Sequence, residues 1–295
     1  MFTPRAQNPP LAIGLMLLAT VFIAGTTLLA KALGTGRLGP DLHPLHVSHG
    51  RFLFGFLTVV AATLIMRPAF HRPHWPLHIA RSILGWGGVT LMFAAVAFIP
   101  LSDATAISFL NPVFAMVFAI AFLREHVGPV RWAAAAIAFA GAIVLLRPGL
   151  DSFRPAALLA LGAALVMGAE ITCLKRLSGR EGPFQILLIN NAIALTVASL
   201  AVAVVWQTPT PVQWAALAGI GVLMAAAQMC YVNSVARADA SLVVPFSYAT
   251  LVFAAIYDLA VFGVIPDAVS ILGALVIVAG GAMLAWREGR RQRRS

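Results

Sequence analysis

The feature that most constrains this chain is a series of ten apolar runs, each of about 17 to 25 residues. A helix needs roughly 20 such residues to cross the hydrocarbon core of a bilayer. The runs are apolar on every face, whereas the strands of a membrane barrel alternate apolar and polar residues. The sequence therefore predicts an all-α integral membrane protein with ten transmembrane helices, at 11–33, 48–66, 78–99, 102–123, 128–146, 156–177, 184–206, 213–235, 241–264 and 269–286.

Composition excludes a water-soluble enzyme. Hydrophobic residues make up 61% of the 295 positions and charged residues only 10%, against about 25% charged in a typical soluble domain. Ten crossings need about 200 residues, and the remainder suffices only for loops and tails. We therefore expect no separate soluble domain.

The basic residues indicate orientation. If the N-terminus is cytoplasmic, 15 of the 20 Lys and Arg residues fall inside, and the other five, Lys31, Arg37, Arg51, Arg147 and Arg154, fall outside. Cytoplasmic loops carry an excess of Lys and Arg, so this split predicts that both termini are cytoplasmic. The net charge of +10 then reflects topology and lipid headgroups, and no nucleic-acid partner is expected.

Neither the N-terminal apolar run nor the two cysteines changes the prediction of a ten-helix membrane protein. The first apolar run is longer than the 7 to 15 residues of a signal-peptide core, so we predict that it is retained. Cys173 and Cys230 both lie in predicted helices and are interpreted as small packing residues without a disulfide.

An internal repeat relates the two halves at an offset between 136 and 144 residues. Lys31 aligns with Lys175, and Arg51 aligns with Asn190, each of the latter two lying seven residues after a proline. Because each copy holds five spans, an odd number, the second copy enters the membrane from the opposite side. The predicted organisation is a first five-span repeat at 1–150, a second, inverted repeat at 151–286 and a basic cytoplasmic tail at 287–295.

Inverted repeats have a functional meaning. They are the architecture through which many secondary transporters produce two related conformations around a site near the bilayer midplane. The repeat therefore predicts a transporter that works by alternating access at a central cavity.

Three stretches resemble a known family: Gly25-Thr26-Thr27 through Lys31, Pro44 to Arg51, and Asp103-Ala104-Thr105 through Pro112 to Arg124-Glu125. They are similar to the drug/metabolite transporter superfamily, in its EamA-type branch of ten-span proteins. The resemblance implies export of small metabolites, and it is strongest to YddG-type exporters of amino acids, including aromatic ones. The chain departs from the family pattern at Ala24, where Trp is usual, and at Pro245, three residues before the position that aligns with Pro112.

Polar and aromatic side chains inside the spans are the candidates for substrate binding. Such groups are costly at membrane depth and usually face the bundle interior. The alternative is that Ser, Thr and Asn hydrogen-bond across helices and that the aromatic rings fill the core. The predicted substrate-binding residues are Trp86, Thr90, Ser108, Asn111, Gln228, Tyr231 and Tyr248.

Two prolines predict helix breaks. Pro112 and Pro245 lack the N–H that would bond the carbonyls of Ser108 and Ser241, so those carbonyls become available to a neighbour, water or a ligand. A simple kink is the alternative.

Two acids lie within the spans. An ionised carboxylate there costs about 2.5 to 3.5 kcal/mol on insertion scales, so each acid must be paired, protonated or in contact with water. Glu170 has Thr26 as its counterpart in the first repeat, and we hypothesise that it couples transport to protons. Asp258 lies nearer the outer interface and is expected to be hydrated.

The sequence thus predicts a multi-pass protein of the bacterial inner membrane that exports small organic metabolites, with amino acids, including aromatic or other apolar ones, as the expected substrates. The expected partners are the small-molecule substrate and the lipid bilayer, and the expected state is a monomer, with a dimer left open. No cofactor, metal site or catalytic residue is predicted. An integral membrane enzyme acting on a lipid or isoprenoid substrate is the alternative function.

Overall fold

The structure is a computed structural model that describes residues 8–123, 129–146, 155–178, 180–235, 237, 246–247 and 249–292. Throughout this described part the regular structure is helical and no strand occurs. A 3₁₀ turn covers Ala203–Val205, residues 246–247 are also 3₁₀, and a π-helical turn covers Asp258–Phe262. The helices are α1 Pro9–Gly34, α2 Pro44–Met66, α3 Trp75–Phe98, α4 Leu101–Ser108, α5 Asn111–Leu123, α6 Pro129–Leu146, α7 Ala157–Ser178, α8 Pro183–Val202, α9 Pro211–Val235, α10 Ala249–Tyr257 and α11 Ala268–Gln292.

Local sequence explains where several helices begin and end. Proline occupies the first turn of α1, α2, α3 and α8, where the missing N–H costs no helical hydrogen bond. At the start of α1 the Asn8 side chain also accepts a hydrogen bond from the Leu11 N–H at 3.1 Å. Gly263 follows the π turn with a φ of +68°, a left-handed conformation that glycine adopts without strain.

The helices present an apolar exterior. Six of the described helices are long and apolar enough to cross a membrane, and shorter apolar helices cover Ala249–Phe262 and Ala268–Gly280. Large apolar side chains point outward, among them Ile65 at 82% exposed and Val204 at 86%. Such a surface is unfavourable in water but matches lipid chains. The chain is therefore a multi-pass membrane protein; each of the ten predicted spans contains described helix, and the number of crossings stays a prediction.

Close packing of small residues holds the bundle together. The most extensive contacts join α1 with α9, α3 with α7, and α6 with α11. Gly221 of α9 lies so near α2 that an added Cβ would be 2.5 Å from the Phe54 Cβ. At Gly168 of α7, an added Cβ would be 2.8 Å from the backbone nitrogen of Ala115 in α5. Glycine at these two positions therefore permits backbone approach, as in other membrane helix pairs.

The predicted fourth span is interrupted. Helix α4 ends at Ser108 and α5 begins at Asn111, so Phe109 and Leu110 lie between them. The N–H of Leu110 bonds the carbonyl of Ile107 at 3.0 Å, a tightened, 3₁₀-like turn. This interruption directly precedes Pro112, whereas Pro245 lies outside the described residues.

Two ends of the bundle can be distinguished. At the end where α1 stops and α2 starts, called the α1–α2 end and predicted to lie outside the cell, Gln213 donates to the Pro40 carbonyl at 2.6 Å. Gln207 there donates its side-chain N–H to the Asp41 carbonyl at 2.8 Å and its backbone N–H to His46 Nε2 at 3.0 Å. The opposite end, where α2 stops and α3 starts, is called the α2–α3 end and is predicted to be cytoplasmic.

Candidate functional site

Four neighbouring helices carry charged or amide side chains into the bundle interior. These are Arg51 of α2, Arg81 of α3, Glu170 of α7 and Asn190 of α8. Arg51, Arg81 and Asn190 are 9%, 5% and 8% exposed. At a rise of 1.5 Å per residue, Arg81, Glu170 and Asn190 lie roughly 9 to 12 Å along their helices from the α2–α3 end, and Arg51 lies roughly 10 Å from the α1–α2 end. The four residues, called the central cluster below, therefore lie well inside the apolar layer.

An ion pair forms the middle of the central cluster. Arg81 Nε lies 2.8 Å from Glu170 Oε1, although the N–H is not aligned for a hydrogen bond. Arg51 also interacts electrostatically with Glu170. Its guanidinium lies 4.5 Å from the centre of the Phe52 ring. Gly85 of α3 faces this ion pair. A Cβ added to it would be in ordinary contact with the cluster, 3.7 Å from Glu170 Cγ and 3.9 Å from Asn190 Oδ1.

Several polar atoms on the helices of the central cluster are buried without a hydrogen-bond partner among the described residues. They are Arg51 Nε, Arg81 Nη1, Ser82 Oγ, Trp86 Nε1 and Asn190 Oδ1. Burying such a group unsatisfied costs about 1–3 kcal/mol, more if it is charged. Native proteins leave few groups in this state, and those that remain call for water, an ion or a ligand. The central cluster is therefore our candidate solute-binding site.

A second ion pair lies at the α1–α2 end and is fully satisfied. Lys31 Nζ contacts Asp258 Oδ1 at 2.5 Å, and the backbone N–H of Leu101 donates to Asp258 Oδ2 at 2.5 Å. The Lys31 ammonium also lies 4.5 Å from the centre of the Phe262 ring. Asp258 is 0% exposed. The expectation that Asp258 is hydrated was wrong, because the π turn that follows α10 places it against a lysine that is far away in sequence.

A third buried acid, Glu181, joins two loops at the α2–α3 end. Its Oε1 accepts the His74 N–H at 2.8 Å, and its Oε2 accepts from Gln185 Nε2 at 2.6 Å and lies 2.8 Å from His78 Nε2. Gln185 in turn bonds both backbone groups of His71, at 2.7 and 2.9 Å. Burial alone would raise the pKa of Glu181, but these hydrogen bonds and the nearby His78 hold that pKa below its ordinary value of 4.5.

A separate crevice of about 250 Å³ lies between α2, α8 and α9. Its lining is apolar except for Thr58 and Gln228. Val222 and Met229, which also line it, are 51% and 41% exposed. Exposed apolar walls favour a lipid chain over a polar solute, so this crevice is not our candidate solute site.

The structure separates the predicted substrate-binding residues. Trp86 lies beside the central cluster, because it packs with Phe52, whose ring Arg51 contacts, and its buried Nε1 is one of the unpartnered atoms. The hydroxyls of Thr90 and Ser108 donate to carbonyls of their own helices, Trp86 at 2.8 Å and Thr105 at 2.7 Å. Described threonines elsewhere, such as Thr20, bond in the same way within one helix. The role of these hydroxyls in transport stays a prediction.

The remaining predicted residues lie elsewhere. Asn111 opens α5, and its carbonyl would be 2.9 Å from a Cβ added to Gly168. Gln228 lines the crevice, and Tyr231 is 43% exposed on α9. Tyr248 and Pro245 lie outside the described residues.

Sequence reasoning missed two arginines of the central cluster. Arg51 was counted as an outside charge and Arg81 as a cytoplasmic one, but both are buried in helices. Counting them as loop charges was wrong, and the same holds for Lys31. A signal was present, because both arginines fall inside predicted apolar spans, where an ionisable residue marks a functional site by default.

The chain belongs to the EamA-like transporter family, whose sequence profile matches residues 10–147 and again residues 154–286. Members of this family are membrane transporters of small metabolites, which is the class that the apolar bundle and its buried polar cluster define. The chain is similar to the riboflavin transporter of Vibrio cholerae serotype O1, at 33% identity over 235 residues, covering 79% of this chain and 78% of that protein.

Two other relatives carry different substrates by name. The S-adenosylmethionine uptake transporter of Rickettsia bellii is 26% identical over 279 residues, 94% of each chain. The pseudopaline exporter CntI of Pseudomonas aeruginosa is 26% identical over 223 residues, 73% of this chain and 78% of that protein. A crystal structure with a TM-score of 0.62 covers 95% of this chain and 98% of its own at 22% identity, which supports the fold alone.

Proposed function

We propose that this chain is a secondary transporter of the bacterial inner membrane that carries small organic metabolites by alternating access, with the central cluster as part of its solute site. The observation that carries the proposal is the set of unpartnered buried polar atoms on the helices of the central cluster, which also hold the Arg81–Glu170 ion pair. A transporter must desolvate its solute in the apolar layer, and prearranged donors and acceptors there offset that cost. One chain supplies the whole cluster, which agrees with a working monomer.

Helix partners support two inverted repeats at 1–150 and 151–286, followed by the tail at 287–295. In the proposed repeat, span 1 (α1) corresponds to span 6 (α7), and span 3 (α3) corresponds to span 8 (α9). The pair α1 with α9 therefore corresponds to the pair α7 with α3. Both pairs are among the most extensive contacts of the bundle. The pairs α2 with α8 and α6 with α11 each correspond to themselves, and both are in contact. The two ranges matched by the family profile also fall within the two halves.

For the substrate, we propose an amino acid or a related small metabolite moved outward. Two guanidinium groups and one carboxylate offer partners for both the acidic and the basic group of a zwitterion. The relatives named above carry riboflavin, S-adenosylmethionine or pseudopaline, and they include both an uptake and an export protein. Family membership therefore does not identify the substrate or the direction of transport, and the proposal for both rests on the residues of this chain.

We further propose that Glu170 couples transport to protons. It is the carboxylate of the central cluster, and its charge is balanced by Arg81 at 2.8 Å. The Glu170 carboxylate is the partner that the site offers to the amino group of a zwitterionic solute, and protonation would remove that partner. Proton and solute would therefore compete for the site, which is the linkage that export driven by an inward proton gradient requires.

The test is solute exchange in proteoliposomes. Purified protein is reconstituted, loaded with one unlabelled solute and presented with the same labelled solute, using amino acids, riboflavin and S-adenosylmethionine in turn, with and without a pH gradient. We expect labelled solute to accumulate for at least one amino acid and not in protein-free vesicles. No exchange of any solute, or formation of a product in detergent without a gradient, would overturn the proposal, the latter in favour of an enzyme.

A further inference from the structure

Among the described residues, the ion pairs leave one buried arginine without an acid of its own. Asp258 pairs with Lys31, Glu181 with His78, and Glu170 with Arg81. Arg51 takes part in none of these pairs, and its Nε has no hydrogen-bond partner among the described residues. The acid nearest to it in electrostatic terms, Glu170, is already paired with Arg81. The central cluster therefore carries a surplus of one positive charge.

A surplus buried charge is expensive. Removing one partner of a buried ion pair typically costs about 3–5 kcal/mol, and an arginine without an acid resembles that state. Arg51 does contact the Phe52 ring at 4.5 Å, but a single cation–π contact contributes about 0.5–2 kcal/mol. An anion that enters the cluster would supply the missing charge.

The neighbouring unpartnered atoms are mostly hydrogen-bond donors. Arg51 Nε, Arg81 Nη1 and Trp86 Nε1 are donors, and the Ser82 hydroxyl can donate. Ser82 and Trp86 lie four residues apart on α3 and therefore share a face of that helix. Planar anions accept such donors well, and guanidinium groups bind carboxylates with two parallel hydrogen bonds.

We propose that Arg51 and Arg81 form a subsite for the carboxylate of the transported solute, with Trp86 Nε1 and Ser82 Oγ as additional donors. A single carboxylate neutralises the surplus charge, whereas a phosphate dianion would exceed it. Glu170 acts as a positioning residue: it holds Arg81 by its Nε and leaves Nη1 free. This inference rests on the proposed transport function and specifies the chemistry that its solute must carry.

The test compares solutes that differ only in the carboxylate. Proteoliposomes containing the full chain are assayed for exchange of phenylalanine, leucine, their amides and the phosphonate analogue of phenylalanine. We expect the wild-type protein to exchange the carboxylates at least tenfold faster than the amides and the phosphonate. In Arg51→Gln we expect carboxylate exchange to fall at least tenfold and the preference to shrink to about twofold or less. Arg51→Lys retains the charge and should keep the preference, at a lower rate.

A stability measurement separates binding from a structural role. Because Arg51→Gln removes an uncompensated charge, we expect the melting temperature in detergent to stay equal or rise, while the carboxylate-dependent increase in melting temperature is lost. Arg72, an exposed loop arginine, provides the matched control, and Arg72→Gln should leave rates and preference unchanged.

The exchange assays distinguish failure of the carboxylate subsite from failure of the proposed transport function. Equal exchange of carboxylates and amides by the wild-type protein overturns the subsite and leaves the transport function standing. An unchanged preference in Arg51→Gln, or its strong destabilisation together with the same loss in Arg51→Lys, also overturns the subsite. Absence of exchange for every solute overturns the transport function itself and this inference with it.

Discussion

The ends and the interior of the bundle treat buried charge differently. At the α1–α2 end, both carboxylate oxygens of Asp258 accept a hydrogen bond. At the α2–α3 end, both oxygens of Glu181 do so as well. In the central cluster, by contrast, Arg51, Arg81 and Asn190 each keep an unpartnered buried atom.

The difference between satisfied and unsatisfied buried charges distinguishes groups that hold helices together from groups that have bonding capacity left for a ligand. A buried ion pair is tolerated when hydrogen bonds satisfy its remaining atoms, and it then fixes which helices meet. Asp258 joins α1 to the start of α4, and Glu181 joins the loop before α3 to the start of α8. An incompletely satisfied cluster gains more from a ligand than a satisfied one, because the ligand supplies the missing partners. The variants below test this contrast, from the largest expected effect to the smallest.

The largest effect is expected at Asp258. Asp258→Asn leaves the buried Lys31 without its counter-charge, so we expect the free energy of unfolding to fall by about 3–5 kcal/mol. Chemical unfolding in detergent, followed by tryptophan fluorescence, measures the change. The double variant Lys31→Met/Asp258→Asn should recover most of the loss, and Arg72→Gln at an exposed loop position should cause none. A single variant as stable as the wild-type protein would refute a structural role for this pair.

Glu170→Gln is expected to act on transport more than on stability. The Glu170 side chain is 17% exposed, so water offsets part of the cost of leaving Arg81 unpaired, and we expect a loss of about 1–3 kcal/mol in unfolding free energy. The dependence of exchange on a pH gradient should disappear. Exchange rates measured between pH 5.5 and pH 8 provide the readout. Wild-type pH dependence in the Glu170→Gln protein would rule out its role in proton coupling.

Glu181 should contribute a smaller, pH-dependent share of stability. Its pKa is lowered in the folded protein, so its stabilisation is present above about pH 4.5 and is lost as the pH falls through the folded value. We expect Glu181→Gln to reduce the melting temperature at pH 7, with the gap to wild type closing below pH 4.5. A gap that stays constant from pH 7 to pH 3.5 would contradict this assignment.

The smallest structural change is at Gly85. An added Cβ fits at ordinary contact distance from Glu170 and Asn190, so Gly85→Ala should alter the free energy of unfolding by no more than about 1 kcal/mol. The methyl group nevertheless occupies space in the central cluster, and we expect exchange to slow severalfold. Gly87→Ala is the matched control, because its Cβ meets Val166 at 3.8 Å, away from the cluster. Equal rates for the two variants would place the solute elsewhere.

Much of the fold was predictable from local pattern. The apolar runs and the prolines in the first turns of α2, α3 and α8 mark helices whose starts agree with the sequence prediction to within a few residues. The central cluster was only partly predictable. Glu170 was singled out because an acid inside an apolar run needs a partner, but its partner Arg81 lies in another helix and no helical spacing connects the two.

The sequence by itself determined that the chain is helical and membrane-embedded, because apolar run length and backbone hydrogen bonding leave few other structures in lipid. It also determined the family, because the motifs that carry the resemblance are short stretches that can be recognised without knowing how the helices pack. Only the tertiary structure decided which buried charges are satisfied. Arg51, Arg81 and Glu170 lie on three different helices, and the binding role proposed for them depends on the packing that brings them together at low dielectric.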